Sequence, residues 1–455
     1  MNKIITSLFR PADISSIVFF RIVFGIILSL QVGAYIFSGY VDQIWIEPDY
    51  HFKYYGFHWL GVLPGNYLYS VVAIVSVSAL FIAIGFLYRI STLIFFLGFT
   101  YLFLLEQSTY LNHYYLIILI SFLLIFIPAH RYFSIDSLIW PNLRRSWISS
   151  WCIWILMFQI ALVYIFGGIA KINWDWLHGL PLRIWLDEGY VGTHPDKEFF
   201  VYLVSYAGLL FDLIIIPLLL FRKTRIFGFL LALIFHLTNK ALFNIGIFPY
   251  ISLALTTLYF SPDWPRKLFN NNLITEQFAD YKSLKYESLK KSQQILLLFL
   301  ALYIFIQIFI PLRHLLYRGN VSWTEEGHNF AWHMKLRDKA GSITYNIRDP
   351  KTGNVWNLNP EIYLSKRQKS KLATRPYLAI QFAHYIEKQF KGMGYKNVEV
   401  RAKAKVSLNG RKKQLIIDPN VDLTMYKDSI MPAQWILPLT KPLEPAKNNK
   451  RPDPK

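Results

Sequence analysis

Tyr164-Ile165-Phe166-Gly167-Gly168-Ile169-Ala170-Lys171-Ile172-Asn173-Trp174-Asp175-Trp176 decides the fold, because a long apolar run ends in it on a single lysine. Residues 151–170 carry one strongly polar side chain, Gln159. At about 1.5 Å per residue the run reaches about 30 Å, the thickness of a bilayer's hydrocarbon core. Lys171 therefore closes a membrane helix. Two readings follow from that position. A terminal lysine commonly snorkels its ammonium to the headgroups as an anchor, whereas an ionisable group held inside the membrane marks a site.

The whole chain agrees with a membrane setting. Its 455 residues are 54% hydrophobic and 17% aromatic, too apolar for an ordinary soluble protein. A single cysteine, Cys152, excludes an intramolecular disulfide. Lys3 and Arg10 precede the first apolar run, and no small-residue cleavage pattern follows it, so the expectation is a retained helix and not a signal peptide.

Apolar runs predict nine spans, near 17–37, 70–87, 90–105, 114–128, 151–170, 200–221, 226–243, 247–260 and 294–311; the third, fourth and eighth are short. With the N-terminus inside, the cytoplasmic segments hold fifteen Lys and Arg and the outer loops five: Lys53, Lys171, Arg183, Lys197 and Lys240. Positive charge accumulates on the cytoplasmic side of short loops. The expectation is a cytoplasmic N-terminus and a C-terminal region outside the cytoplasm, on the face of Lys171.

That region changes character. From Pro311 onward long apolar runs give way to alternating stretches such as 398–406 and 414–418, with Asn409-Gly410 between them as a hairpin signal. Leu378, Phe382, Tyr385, Ile386 and Phe390 recur at helical spacing, predicting a helix from about Arg375 to Gly392. The fold class is thus a polytopic α-helical membrane protein with a C-terminal mixed α+β extracytoplasmic domain. Its parts are a helical bundle over 1–311, an exterior domain over 312–440 and a disordered Lys- and Pro-rich tail over 441–455. Residues 312–455 carry 27 Lys and Arg against 12 Asp and Glu, most of the chain's +20. Such a surface suits anionic lipid or an acidic protein segment; nucleic acid is not expected outside the cytoplasm.

Within the bundle, Asn112-His113-Tyr114-Tyr115 opens the fourth run and Phe235-His236-Leu237-Thr238-Asn239 lies late in the seventh. On this topology both histidines fall toward the outer leaflet with Lys171, which predicts a buried polar pocket. No two have metal-ligand spacing, and His-Glu-x-x-His, a Gly-rich phosphate loop and Gly-x-Ser-x-Gly are all missing from the sequence. A transporter would want broken spans in two matching halves, and the sequence has none.

Several stretches together carry a resemblance. Tyr88-Arg89-Ile90-Ser91, Leu111 to Leu116, Gly168 to Trp176, Phe235 to Asn239 with Phe243 to Tyr250, and Ser261 to Lys267 resemble the vitamin K-dependent gamma-glutamyl carboxylase family in order and spacing. Asn320 to Thr324, Tyr345 to Pro360, and Asp418 to Asp422 followed by Trp435 extend the resemblance, which covers about 80–440. The resemblance implies that reduced vitamin K (phylloquinone or menaquinone hydroquinone), O2 and CO2 convert a glutamate of a protein or peptide to gamma-carboxyglutamate, the quinone leaving as its epoxide, without a metal. It implies Lys171 as the base that deprotonates the hydroquinone and His113 as its catalytic neighbour. Asn112, His236, Asn239 and Trp174 are implied on the cofactor side, and Trp323, Asn359 and Pro360 on the peptide side. A lysine can be a base only when neutral, which desolvation favours; Phe166, Ile169 and Trp174 are the expected walls. Animal members carry a disulfide and a second lysine before the catalytic one; here there is one cysteine and Ala170 precedes Lys171. The chain looks more like a bacterial homologue using membrane menaquinone. A quinone-binding protein, or an epoxidase that carboxylates no peptide, would share every bundle motif.

Overall fold

Among the described residues six helices are long and apolar enough to cross a membrane: Ser15–Phe37, Gly65–Ile84, Trp151–Lys171, Lys197–Leu220, Arg225–Leu242 and Lys291–Leu316. The computed structural model describes residues 3–186, 196–243, 245–268 and 289–440; the expected 441–455 tail lies outside them. Tyr88–Leu104 (17 residues), Asn112–Phe126 (15) and Phe248–Thr256 (9) are shorter. At 1.5 Å per residue they reach about 25, 22 and 14 Å, less than the core thickness. Among the described residues six helices, and not nine, have the length of a full span. The chain divides into a helical unit, 1–47, 59–169 and 209–311, and a sheet-bearing unit, 48–58, 170–208 and 312–455.

In the helical unit local chemistry sets the helix ends. Gly65–Ile84 stops at Gly85 (φ 66°), where the Phe86 amide reaches back to Phe81 O at 2.9 Å, the left-handed C-terminal cap that favours glycine. At Gly25 the helices Ser15–Phe37 and Gly65–Ile84 pass so closely that a Cβ would lie 2.6 Å from Ala79 O, a small-residue crossing typical of membrane helices. Arg21 is buried within the first span; its guanidinium donates to Ala129 O (2.8 Å) and Phe133 O (2.6 Å), fixing the turn after Asn112–Phe126. Asp136 accepts from the amides of Leu87 (2.7 Å) and Tyr88 (2.9 Å), and Tyr88 donates to Leu124 O, so the Tyr88 motif ties helix ends together. A two-stranded antiparallel ribbon joins β1 (Pro11–Asp13) to β2 (Trp147–Ser149).

The sheet-bearing unit holds β3 (Lys339–Arg348), β4 (Val355–Leu358), β5 (Glu399–Leu408) and β6 (Gln414–Leu415), antiparallel in the order β4-β3-β5-β6. In β5 Val400, Ala402, Ala404, Val406 and Leu408 are buried while Lys403 and Lys405 are exposed, the period-two alternation read from the sequence. Helix Pro376–Gly392 buries Leu378, Phe382 and Ile386 in the same core as Tyr345 and Trp323. It begins at Pro376, with Arg375 as its N-cap, because proline suits the first helical position. Asn409 (φ 49°) and Gly410 (φ 80°) form the expected left-handed turn. It is not a two-residue hairpin: β6 joins only where Gln414 faces Val406, leaving 411–413 to other work.

Candidate functional site

Lys171 is the last residue of its helix and is buried, with 6% of its surface exposed. The chain then reverses. Asn173 donates to Ala170 O (2.8 Å) and its side-chain oxygen accepts from the Trp176 amide (3.0 Å), capping the short helix Trp174–Leu177. That turn brings Trp176 back under the lysine, Nζ lying 5.4 Å from its ring centroid. Trp176 is fixed by Nε1 donating to Ser205 O (3.0 Å) while Ser205 Oγ donates to Trp176 O (2.6 Å). Between the two tryptophans, Asp175 accepts both Arg411 Nη atoms (2.7 and 2.8 Å) and Asn409 Nδ2 (2.6 Å). Burial alone would raise the Asp175 pKa; the hydrogen bonds from Arg411 and Asn409 outweigh it and hold the carboxyl below its ordinary value. The Asn-Gly turn thus serves the lysine's own segment.

The expected walls of Lys171 need correction. Trp174 is 67% exposed and stacks on His178 with centroids 3.6 Å apart, and Ile169 is also exposed. The capped turn faces Trp176 inward, and helical residues two apart do not share one face. Trp176, two residues beyond Trp174, ends the same motif, and nothing in its spacing marks it as the ring under the lysine.

In the helical unit, His236 is buried and its Nε2 shares a 2.7 Å hydrogen bond with Tyr164 OH. Its Nδ1 is buried without a hydrogen-bond partner among the described residues. His113, in the first turn of Asn112–Phe126, lies edge-on to Tyr114 (4.7 Å). Phe248 lies against both imidazoles, 6.3 Å from His113 and 5.9 Å from His236, so the two are brought to one aromatic ring. Gly246 (φ 61°) forms the turn beside His113, a conformation that disfavours side chains. Asn112 accepts from Tyr110 OH (2.8 Å), and Asn239 sits half-buried one turn beyond His236. Tyr164 and Phe248 both lie in the quoted stretches, but nothing in the spacing paired them with the histidines.

A second polar cluster lies in the sheet-bearing unit, unforeseen from the sequence. Glu325 is buried and accepts from Arg337 Nε (2.9 Å) and Lys339 Nζ (3.0 Å), with His328 at 3.9 Å. Burial alone would raise its pKa; Arg337, Lys339, His328 and Arg375 together hold it well below the usual carboxylate range. Burial pushes the Lys339 ammonium down to about 8, against the pull of Glu325, and Lys371 nearby is pushed to about 8 by the same cause. The segment that delivers these groups is strained, with left-handed φ at Glu325 (67°), Phe330 (65°), Trp332 (58°) and Lys335 (48°); such strain gathers at functional sites.

A protein-family model described as HTTM domain matches residues 9–264, and one described as vitamin K-dependent gamma-carboxylase, lumenal domain, matches residues 292–442. The chain belongs to the vitamin K-dependent gamma-carboxylase family. No solved structure matches it. It is a multi-pass helical membrane protein of the gamma-glutamyl carboxylase type, and the family implies vitamin K and a glutamate-containing protein substrate.

The residues present fit a quinol. A flat aromatic ring with two hydroxyls needs apolar walls and a few directed polar atoms; Phe248, Phe211, the His236–Tyr164 pair and the orphaned His236 Nδ1 are that kind of lining. Among the described residues no group of three His, Cys, Asp or Glu is placed to hold a metal ion. The residues expected on the peptide side are placed as follows. Trp323 is fully buried and donates Nε1 to Leu437 O (2.7 Å), a core residue. Asn359 accepts from the Glu361 amide (3.3 Å) and donates to the Glu361 carboxylate (2.9 Å), and Pro360 is buried at the first position of that turn. Of the three, Asn359 is exposed.

Proposed function

We propose that this protein couples oxygenation of reduced vitamin K, hydroquinone to epoxide, to carboxylation of protein glutamate. Hydroquinone, O2, CO2 and a glutamate residue give epoxide, gamma-carboxyglutamate and water, a balanced equation. The observation that carries the reading is Lys171, a buried amine at the end of an apolar helix, held over Trp176. When bound, the quinol supplies the oxygen-derived base strong enough to take a carbon-bound proton. Lys171 is the base that removes the hydroquinone proton. His113 assists that transfer, while His236, through Tyr164, and the neighbouring Asn112 and Asn239 orient the ring. The apolar lining keeps water from quenching the strong base.

The charge count favours a cytoplasmic N-terminus and an exterior domain from 312 onward, followed by a tail from 441. Opposite faces for the two ends require an odd number of crossings, so the shorter apolar helices contribute; nine crossings use all three. A cysteine introduced at Lys413 should react with a membrane-impermeant reagent from outside only. A bacterial homologue would draw menaquinone from its own membrane. The assay is incubation of purified protein with reduced vitamin K, labelled bicarbonate and a glutamate-rich peptide, counting epoxide and fixed label together. Epoxide without label would favour the second reading, an epoxidase or quinone-binding protein. Trp323 and Pro360 are buried while Asn359 is exposed, so of the three expected peptide-side residues Asn359 is the one placed to meet a peptide.

A further inference from the structure

The sheet of the sheet-bearing unit has two faces of opposite character. On one, Val400, Ala402, Ala404 and Val406 of β5 are buried in the core that helix Pro376–Gly392 closes. The other carries the alternate residues Arg401, Lys403 and Lys405, and the two lysines are exposed. Alternate side chains of a strand share a face at about 3.3 Å per residue, so neighbours in this row of cations stand about 6.6 Å apart. The adjoining strand sets neutral residues opposite them. In the antiparallel register Asn346 of β3 faces Arg401, Thr344 faces Lys403 and Ser342 faces Lys405, and Thr344 and Ser342 are exposed.

Opposite charge is nearly missing from this face. Of the residues that the four strands present there, Glu399 is the one acid, and Arg401 Nη2 donates to its Oε2 at 3.0 Å. Lys403 and Lys405 make no ion pair among the described residues. Cross-strand pairs of opposite charge stabilise a sheet, and ordinary surfaces intersperse the two signs; here hydroxyls and an amide stand where the acids would be. Ammonium groups about 6.6 Å apart repel one another inside the Debye length of about 8 Å. The row therefore adds repulsion to the fold and no bond, and a ligand bearing carboxylates at the same repeat would relieve it.

We propose that this face is the docking surface for an acidic segment of the protein substrate, laid along β5 in extended form. An extended chain has the same two-residue repeat as the strand beneath it, so carboxylates at alternate positions fall over Arg401, Lys403 and Lys405. The Ser342 and Thr344 hydroxyls are donors for the same oxygens, and hydrogen bonds from ammonium to carboxylate are the stronger, charge-assisted kind. The inference rests on the reading of a glutamate-containing protein substrate and names where such a chain is held. None of these residues has a part in the catalytic assignments above.

The test is direct binding, which needs no turnover. Full-length protein in phosphatidylcholine nanodiscs is titrated against a fluorescein-labelled peptide of alternating glutamate and threonine, read by anisotropy. The expected result is a Kd raised about fivefold or more in Lys403→Gln/Lys405→Gln, against less than about twofold in Lys388→Gln/Lys396→Gln, which removes as many exposed charges outside the strands. An unchanged Kd in the strand variant would overturn the proposal. So would equal weakening in both variants, since net charge and not the row would then attract the peptide. In the parent, Kd should rise with salt as the exposed charges are screened; a salt-independent Kd counts against the row without recourse to any variant. Displacement of the peptide by a short-chain phosphatidylserine more readily than by unlabelled peptide would also overturn it, since the face would then serve lipid. Epoxide formation is assayed on the same protein: its absence with peptide binding intact fails the proposed reaction and leaves the docking face standing, whereas epoxide without peptide binding fails the docking face alone.

Discussion

In the helical unit the buried guanidinium of Arg21 is met by the backbone carbonyls of Ala129 and Phe133, while in the sheet-bearing unit buried Glu325 and Asp175 are met by Arg337, Lys339 and Arg411. Cross-links deep in the helices are neutral: Tyr303 donates to Gln159 Oε1 (2.6 Å) and Tyr164 pairs with His236. An ion pair of the helical unit, Asp13–Arg266 (3.1 Å), falls at the ribbon before the first span. Moving two ions out of water costs several kcal/mol each, which geometry must offset; inside hydrocarbon a neutral pair avoids that cost. The difference teaches where charge is tolerated for structure and where it is kept for use. Lys171 stands at the change of regime, ending an apolar helix and followed at once by the Asp175–Arg411 pair.

The largest expected effect breaks the comparison at that point. Lys171→Ala abolishes epoxidation and any carboxylation while the protein stays folded, as read by product assay and thermal melting. Lys171→Arg fails as well, because a guanidinium keeps its proton. An interfacial anchor would tolerate arginine, so near-normal epoxidation by that variant would end the assignment as base.

Next come the histidines. His113→Ala lowers turnover by about 10² to 10⁴, the usual weight of a group assisting proton transfer. Tyr164→Phe has a smaller effect in the same assay, since it removes a hydroxyl that positions His236 and touches no proton directly; equal loss in both would reverse their ranks.

Stability then separates the two regions. Arg411→Ala strands the buried Asp175 carboxylate and costs about 3 to 5 kcal/mol, whereas Tyr303→Phe removes a neutral interhelical bond and costs about 0.6 to 1.7 kcal/mol. Denaturant melts of the two variants should rank in that order; a reversal would mean that the pair at Asp175 contributes little.

The smallest effect is in acid. Asp175 has its folded pKa held below the ordinary 3.8, so its contribution to stability is present above that value and is lost as pH falls through the lower, folded one. Melting temperature should drop below about pH 4 more steeply in the parent than in Asp175→Asn, which has no such group to protonate.

Residues 151–171 are apolar for the length of a bilayer whatever their neighbours do, so the span and its lysine were legible directly. The alternation in β5, the helix from Pro376 and the left-handed Asn409-Gly410 turn are local properties too, set by side-chain period and backbone sterics. The family was legible because its motifs are short contiguous runs. Contacts between residues far apart in sequence were not: Trp176 as the ring under Lys171, Arg411 clasping Asp175 from 236 positions away, Tyr164 bonding His236, and a glutamate buried among cations. Nor were the partners of Trp323, Asn359 and Pro360, expected on the peptide side: Trp323 reaches Leu437 O, and Asn359 caps the turn that Pro360 opens. A sequence fixes each side chain's chemistry and its local period; which distant group reaches it depends on where the backbone returns, and only the tertiary structure decides that.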